Sequence, residues 1–203
     1  MIDNEWDFEQ VYASFQPKIH AYLTRLIGAK EAEDLTQEVF IKVGKSLTTF
    51  RKESQLSTWI YRIATNEAID RMRKPFFQRE LTTGHEVLSH KEAEVIETGI
   101  NNINSLKITL SPEEKVIRRE MNECIQGIIQ DLPDNYRMVV VLSELEGLQN
   151  KEIAEILGVN LDVVKVRLHR GKARLKKEFL NHCNFSWDEH NELTCDTKDS
   201  DKQ

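Results

Sequence analysis

Apolar residues in the first part of the chain return at steps of three and four: Phe8, Val11, Tyr12, Phe15, Ile19, Tyr22, Leu23, Leu26 and Ile27. That spacing lays a single stripe along a helix and predicts a first amphipathic helix. A second run, Leu35, Val39, Phe40, Val43 and Leu47, follows Asp34 and Gln37, whose spacing is that of a capping box and predicts a helix start at Asp34. The polar stretch Arg51-Lys52-Glu53-Ser54-Gln55 interrupts the pattern before Leu56, Trp59, Ile60, Ile63 and Met72 resume it. Pro75 closes this third helix, because the residue before a proline is pushed out of the helical region. Residues 1–75 thus predict one small helical domain.

Residues 76–110 have no sustained period and contain Thr82-Thr83-Gly84 and Asn101-Asn102, which predicts a mostly irregular linker with a short helix near 88–98. Ser111-Pro112-Glu113-Glu114 combines a serine cap, a proline at the first helical position and a glutamate three residues on. Val116, Ile117, Met121, Ile125, Ile128 and Ile129 give that helix its apolar face, and Leu132-Pro133 ends it. A further helix runs from about Asp134 to Glu146, stopped by Gly147. Val139-Val140-Val141 alone would suggest a strand, but helices on both sides leave it no pairing partner, so it reads as buried helix. Helices over 150–157 and 160–180 complete a second domain, 111–180, and 181–203 form a tail. The fold class expected is all-α, two small helical domains on a flexible linker.

With 203 residues, 39% hydrophobic and 31% charged, the chain can bury one medium core or two small ones, not a large enzyme body. Eight glycines and four prolines are few for a β-rich build. No apolar stretch approaches the roughly 20 residues of a membrane span, and residues 1–10 carry four acids and no base, unlike a signal peptide. Three cysteines, Cys124, Cys183 and Cys195, at irregular spacing argue against a disulfide scaffold and suit a reducing, cytoplasmic setting. The net charge of −6 seems to exclude nucleic acid, yet the charges are segregated. Seven bases face two acids between Asp162 and Glu178, and seven face four over residues 51–80. Acids outnumber bases nine to five over 85–131 and six to two over 179–203. Two basic islands in an acidic chain fit two phosphate-facing surfaces.

The stretch from Asn150 to Arg170 carries the most information. Asn150 can cap a short helix, Ala154 permits a close helix crossing, Gly158 supplies the positive φ of a turn, and Asn160 can cap the next helix. Ile153, Leu157, Val159, Val164 and Leu168 bury the joint. This is the pattern of a helix-turn-helix, whose second helix presents Lys165, His169, Arg170 and Lys172 as donors along a major groove. An ordinary αα-hairpin with a solvated basic face is the blander alternative.

Leu132-Pro-Asp-Asn-Tyr-Arg137, Glu144-Leu-Glu-Gly-Leu148 and Glu152-Ile-Ala-Glu-Ile-Leu-Gly158 through Arg167-Leu-His-Arg170 resemble region four of the bacterial sigma-70 family. Asp34-Leu-Thr-Gln-Glu-Val-Phe40, Thr58-Trp-Ile-Tyr-Arg-Ile-Ala-Thr-Asn66 and Ala68-Ile-Asp70 resemble region two of the same family. The similarity spans about 8–75 and 112–180. The lack of an acidic N-terminal extension and of a middle domain is similar to the small extracytoplasmic-function (ECF) group. The resemblance implies an alternative sigma factor that binds core RNA polymerase and directs promoter-specific initiation.

Residue by residue, the resemblance implies that Asp34, Gln37, Glu38 and Phe40 dock on the polymerase clamp; periodicity alone describes the same helix as plainly amphipathic. It implies that residues 50–74 hold single-stranded DNA of the −10 element. That task needs a pocket for an unstacked base, aromatic platforms and cations for the backbone. Arg51, Lys52, Ser54 and the stretch to Leu56 are candidates for the pocket rim, and Trp59 and Tyr61 for the platforms. Arg62, Asn66, Arg71, Arg73 and Lys74 are candidates for backbone contacts. Trp59 is also at helical spacing with Ile63, which suits a core role equally. Lys52 and Leu56 depart from the glycine and aromatic common at those positions in relatives.

For the −35 element, Lys165, His169 and Arg170 are candidates for base edges, and Arg167, Lys172 and Lys176 for phosphates. Val163 and Val166 replace the small hydroxyl residues common there and suit a thymine methyl. Gly171 within a helix costs about 1 kcal/mol relative to alanine, and a close approach to DNA is the expected reason. His182, Cys183, His190 and Cys195 in the tail are metal-capable, but their spacing matches no tight zinc pair, so a disordered acidic tail is expected and no metal or cofactor is assigned. No phosphate loop, H-E-x-x-H or nucleophile elbow occurs, so catalysis by the chain itself is not expected. An anti-sigma protein is a partner the resemblance allows. The rival readings are a stand-alone helix-turn-helix regulator with an N-terminal sensor or dimerisation module and, more remotely, a DNA-processing enzyme.

Overall fold

In the computed structural model, residues 6–51, 54–73, 112–187 and 193–197 are described, those of 112–120, 183–187 and 193–197 by backbone alone. The order is α1 (Phe8–Ile27), α2 (Ala29–Ser46), a 3₁₀ turn (Leu47–Thr49), α3 (Leu56–Arg73), α4 (Pro112–Gln130), α5 (Asp134–Val140), α6 (Asn150–Leu157), α7 (Leu161–His182), and a hairpin of β1 (Cys183–Trp187) and β2 (Leu193–Thr197). Asp7 caps α1, its carboxylate accepting from the Glu9 N–H at 3.3 Å. The expected linker and its helix near 88–98 lie outside the described residues. Among those described, no helix is long and apolar enough to cross a membrane.

The three N-terminal helices meet through the stripes their periods predict: Ile19, Tyr22, Leu23 and Leu26 of α1, Leu35, Val39 and Val43 of α2, and Ile60, Ala64 and Ala68 of α3 are buried. The start of α2 differs from expectation. It begins at Ala29, directly after Gly28 breaks the chain at φ +88°, so Asp34 is an exposed residue inside the helix rather than its cap. Ala29, Lys30 and Glu31 are good helix formers, and buried Ala32 gives the extra turn an anchor.

In the C-terminal half, Val139, Val140, Val141 and Leu142 are fully buried helix. The helix widens to a π turn over Val141–Leu145 before Gly147 stops it at φ +68°. Gly158 takes φ +62° at the end of α6, and the Asn160 side chain accepts from the Asp162 N–H at 3.1 Å to start α7. At α6 the cap lies one residue earlier than expected: the Glu152 carboxylate accepts from the Gln149 N–H at 2.8 Å, and Asn150 is already helical. The tail also departs from expectation. α7 continues to His182, and Cys183–Trp187 pairs antiparallel with Leu193–Thr197, Cys183 opposite Thr197 and Cys195 opposite Phe185. His190 lies outside the described residues.

The two halves are docked against each other. A single hydrophobic cluster runs from Val11 through Met72 to Val164. α6 packs on α3, and the C-terminal end of α1 packs on α4 and the π turn.

Candidate nucleic-acid interface

The N-terminal end of α3 and the turn before it form a recess of about 250 Å³ lined by Ser46, Thr49, Phe50, Arg51, Ser54, Trp59 and Arg62. Trp59 is half-buried, with Phe50 tilted against it at a centroid distance of 5.0 Å. Trp59 thus both packs on Phe50 and lines the recess. Arg51 and Arg62 are exposed beside it, and Asn66 and Arg73 are exposed further along α3. Ser46 and Thr49 are lining residues that sequence reasoning missed; polar residues in a short 3₁₀ turn have no period to reveal them.

Three expected members of this surface are placed elsewhere. Tyr61 is buried, edge-on to Tyr22, with its hydroxyl donating to the Glu146 carboxylate at 2.6 Å, so it offers no platform. Burial, and then the Glu146 charge, push its phenol well above the ordinary tyrosine range. Arg71 forks across to α2, pairing with Glu31 at 2.6 Å and Glu38 at 2.8 Å, and so ties two helices together rather than facing a phosphate. Leu56 is buried and takes no part in the rim. Lys52 and Lys74 lie outside the residues whose side chains are described.

On α2, Asp34, Gln37 and Glu38 are exposed on the outer face as expected. Phe40 is not available for docking: it is buried, with the Tyr12 ring edge-on at 4.9 Å. Its place in the apolar stripe with Val39 and Val43 was the signal for that. Ile41, four residues after Gln37, is instead 56% exposed and adds an apolar contact point that sequence reasoning missed. The signal was an isoleucine out of phase with its stripe.

Helix α7 turns two faces outward. Val163, Val166, Arg167 and Arg170 line a shallow groove of about 390 Å³ against Asn135 and Tyr136 of α5. Lys165, His169, Lys172 and Lys176 form a second stripe. The two valines are 38% and 48% exposed, unusual for β-branched apolar side chains on a charged helix. Lys165 pairs with Asp162 at 3.3 Å within the first turn, and Lys172 reaches Glu144 at 2.8 Å. That hydrogen bond from Lys172 lowers the Glu144 carboxyl below its ordinary range. Gly171 has a different cause from the one expected. It is buried, and a Cβ there would lie 2.8 Å from Val140 Cγ2 and 3.4 Å from Tyr136 Cβ, so it lets α7 lie close on α5 and does not face DNA.

Residues 11–75 match sigma-70 region 2, and residues 122–175 match sigma-70 region 4. The ECF RNA polymerase sigma factor SigW of Bacillus subtilis is 35% identical over 175 residues, covering 84% of this chain and 88% of that protein. The ECF sigma-E factor of Escherichia coli K12 is 30% identical over 169 residues, covering 81% and 82%. Among solved structures, the sigma factor RpoE of Bartonella quintana, in complex with the anti-sigma factor NepR, superposes with a TM-score of 0.61 at 23% identity over 86% of this chain and 97% of that one. CnrH, in complex with the cytosolic domain of CnrY, gives 0.57 at 19% identity over 86% and 88%.

Proposed function

The chain belongs to the sigma-70 family, among its extracytoplasmic-function members, and from that premise we propose how its surfaces divide a sigma factor's work. As a sigma factor it binds core RNA polymerase and directs promoter-specific initiation. In the proposed division, residues 1–75 engage the polymerase and the −10 element, and residues 111–180 engage the −35 element. Asp34, Gln37, Glu38 and Ile41 meet the polymerase, with Phe40 packing the helix that carries them. Trp59 stacks a base in the recess, and Arg51, Ser54, Arg62, Asn66 and Arg73 follow the single strand, with Lys52 and Lys74 assigned to the same strand from sequence alone.

On duplex DNA, Arg170 and Arg167 flank Val163 and Val166, whose methyls suit a thymine methyl in the major groove. Lys165 and His169 extend that reading face, and Lys172 and Lys176 meet phosphates. Bond formation is left to the polymerase, which places the chain in the cytoplasm with it. An anti-sigma partner, such as the Bartonella relative's name describes, is part of the proposal.

The observation supporting this division is the coexistence, in one chain, of a cation-rimmed aromatic recess on α3 and an open helix-turn-helix face on α7. Reconstitution tests it. Purified chain with core polymerase on genomic DNA fragments is expected to yield transcripts with discrete, mapped 5′ ends, and Arg170→Ala to lose them while still co-purifying with core. Equal loss of transcription and core binding would refute the division.

A further inference from the structure

The hairpin after α7 brings together two cysteines that the sequence holds twelve residues apart. Cys183 of β1 lies opposite Thr197 of β2, and Cys195 of β2 lies opposite Phe185 of β1. Positions two apart along a strand share a face, so Cys183 and Cys195 are diagonal neighbours on one face of the hairpin, while Asn184, Ser186, Thr194 and Asp196 fall on the other. Diagonal neighbours stand about 7–8 Å apart. A disulfide does not span more than about 7 Å between Cα atoms without backbone movement. Two thiolates at that separation can instead share an ion to which each bonds at about 2.3 Å.

A third donor stands at the junction. His182 is the last residue of α7, exposed and directly before Cys183. Its Nδ1 lies 2.9 Å from the Glu178 carbonyl. A carbonyl can only accept, so in the neutral ring Nδ1 carries the proton and Nε2 the lone pair. The Glu178 carboxylate is 4.0 Å from the same nitrogen. A backbone carbonyl and a carboxylate on the remote nitrogen are the usual outer partners of a metal-binding imidazole. The chain around the junction is acidic, six acids against two bases over 179–203, which draws cations.

The hairpin also lacks a core of its own. It has two strands of five residues, and beyond their mutual pairing it packs chiefly on the end of the helix it continues. A hairpin of two strands is at best marginally stable in water. An ion whose site forms only with the fold adds its binding free energy to that fold.

We propose that His182, Cys183 and Cys195 form a zinc site that staples the hairpin to the C-terminal end of α7. Mixed thiolate and imidazole donors suit a tetrahedral Zn²⁺ rather than a hard cation such as Mg²⁺. Each thiol releases its proton to solvent as its sulfur takes the ion, and three protein donors leave the fourth position to water. The site lies outside the surfaces assigned to polymerase and promoter and does not rest on that assignment.

The test uses the full chain, reduced and stripped of metal, then titrated with Co²⁺ as a spectroscopic probe and with Zn²⁺ in competition with a chromophoric chelator. One equivalent of Co²⁺ is expected to give the visible bands of a tetrahedral ion and a thiolate charge-transfer band. That band should fall by about half in Cys183→Ser and in Cys195→Ser, each of which removes one of the two thiolates. Zinc affinity is expected to fall at least about tenfold in both variants and in His182→Ala, since removing even an outer partner costs that much. Cys124→Ser, whose cysteine lies on α4, should leave it unchanged. Amide hydrogen exchange over 183–197 should slow when zinc is added to the wild-type chain and not when it is added to Cys195→Ser. Helix content by circular dichroism monitors folding of the rest of the chain. Absence of the thiolate band, a zinc affinity that either cysteine substitution or His182→Ala leaves unchanged, or hairpin amides equally protected with and without zinc overturns the site.

Discussion

The two surfaces proposed to face DNA are built in opposite ways. The proposed −35 face is displayed by one helix: Val163, Lys165, Val166, His169 and Arg170 are all exposed along α7, which packs chiefly on α5 and α6 behind it. The proposed −10 recess is assembled from the end of α2, a 3₁₀ turn and α3, and Glu155 of the other half also lines it. A duplex reader can be carried on one rigid rod because the groove supplies the complementary shape. A single-strand reader must supply the shape itself, so it depends on several elements and on whatever leans over them.

The rod's dependence on its backing gives the largest expected effect. Gly171→Val places a branched side chain where a Cβ alone would meet Val140 at 2.8 Å. Overpacking of this kind costs about 1–3 kcal/mol, and valine in place of glycine recovers only a few tenths of that through helix propensity. Thermal unfolding is expected to show a fall of several degrees, and duplex binding to fall with it. Unchanged stability would mean that α7 does not need its close seat on α5.

Next in size is the contrast between Arg170→Ala and Trp59→Leu. Loss of a base-edge arginine costs about 1–3 kcal/mol, or about five- to 150-fold in affinity for a −35 duplex, with single-strand binding unchanged. Trp59→Leu keeps an apolar contact for Phe50 but removes the stacking plane. It is expected to cost about 1–2 kcal/mol per captured base, read as weaker single-strand binding and slower promoter opening with −35 affinity intact. If either substitution lowered both affinities equally, the two surfaces would not be separate readers.

The same contrast accounts for what was legible in the sequence. The α7 face follows from periodicity, Gly158 and the run of bases, and all of these are local signals. The helix stripes likewise placed the N-terminal core. Tyr61 and Arg71 were misassigned because a tyrosine and an arginine beside a basic island look alike whether they face DNA or an acid from another helix, and Glu31, Glu38 and Glu146 lie far away in sequence. Phe40 and Leu56 were readable as core from their stripes, but their motif position outweighed the period. Gly171 needed knowledge of Val140 and Tyr136 across an interface. The docking of the halves has no local signal at all, since each half shows a complete apolar stripe of its own.

The smallest expected effect concerns acidity and bears on whether the recess stays covered. Burial raises the Glu146 carboxyl above the ordinary glutamate range; the Tyr61 hydrogen bond, the Arg25 charge and hydrogen bond, and the more distant Lys18 charge oppose that shift. Tyr22 also faces the group, with its phenol pushed up chiefly by burial. In separated halves the carboxyl is solvated and titrates near its ordinary value of about 4.3. The docked form therefore binds the proton more readily. Its extra stability is fully present below that ordinary value and is lost as pH rises through the raised one. A protonated Glu146 still meets the Tyr61 hydroxyl, so the shift should be small. Small-angle scattering of the wild-type chain is expected to show the radius falling as the medium is acidified through that window, with no change in helix content. Glu146→Gln, which cannot take up the proton, is expected to show none of this dependence. A radius that falls equally in both would assign the acid response to groups other than Glu146.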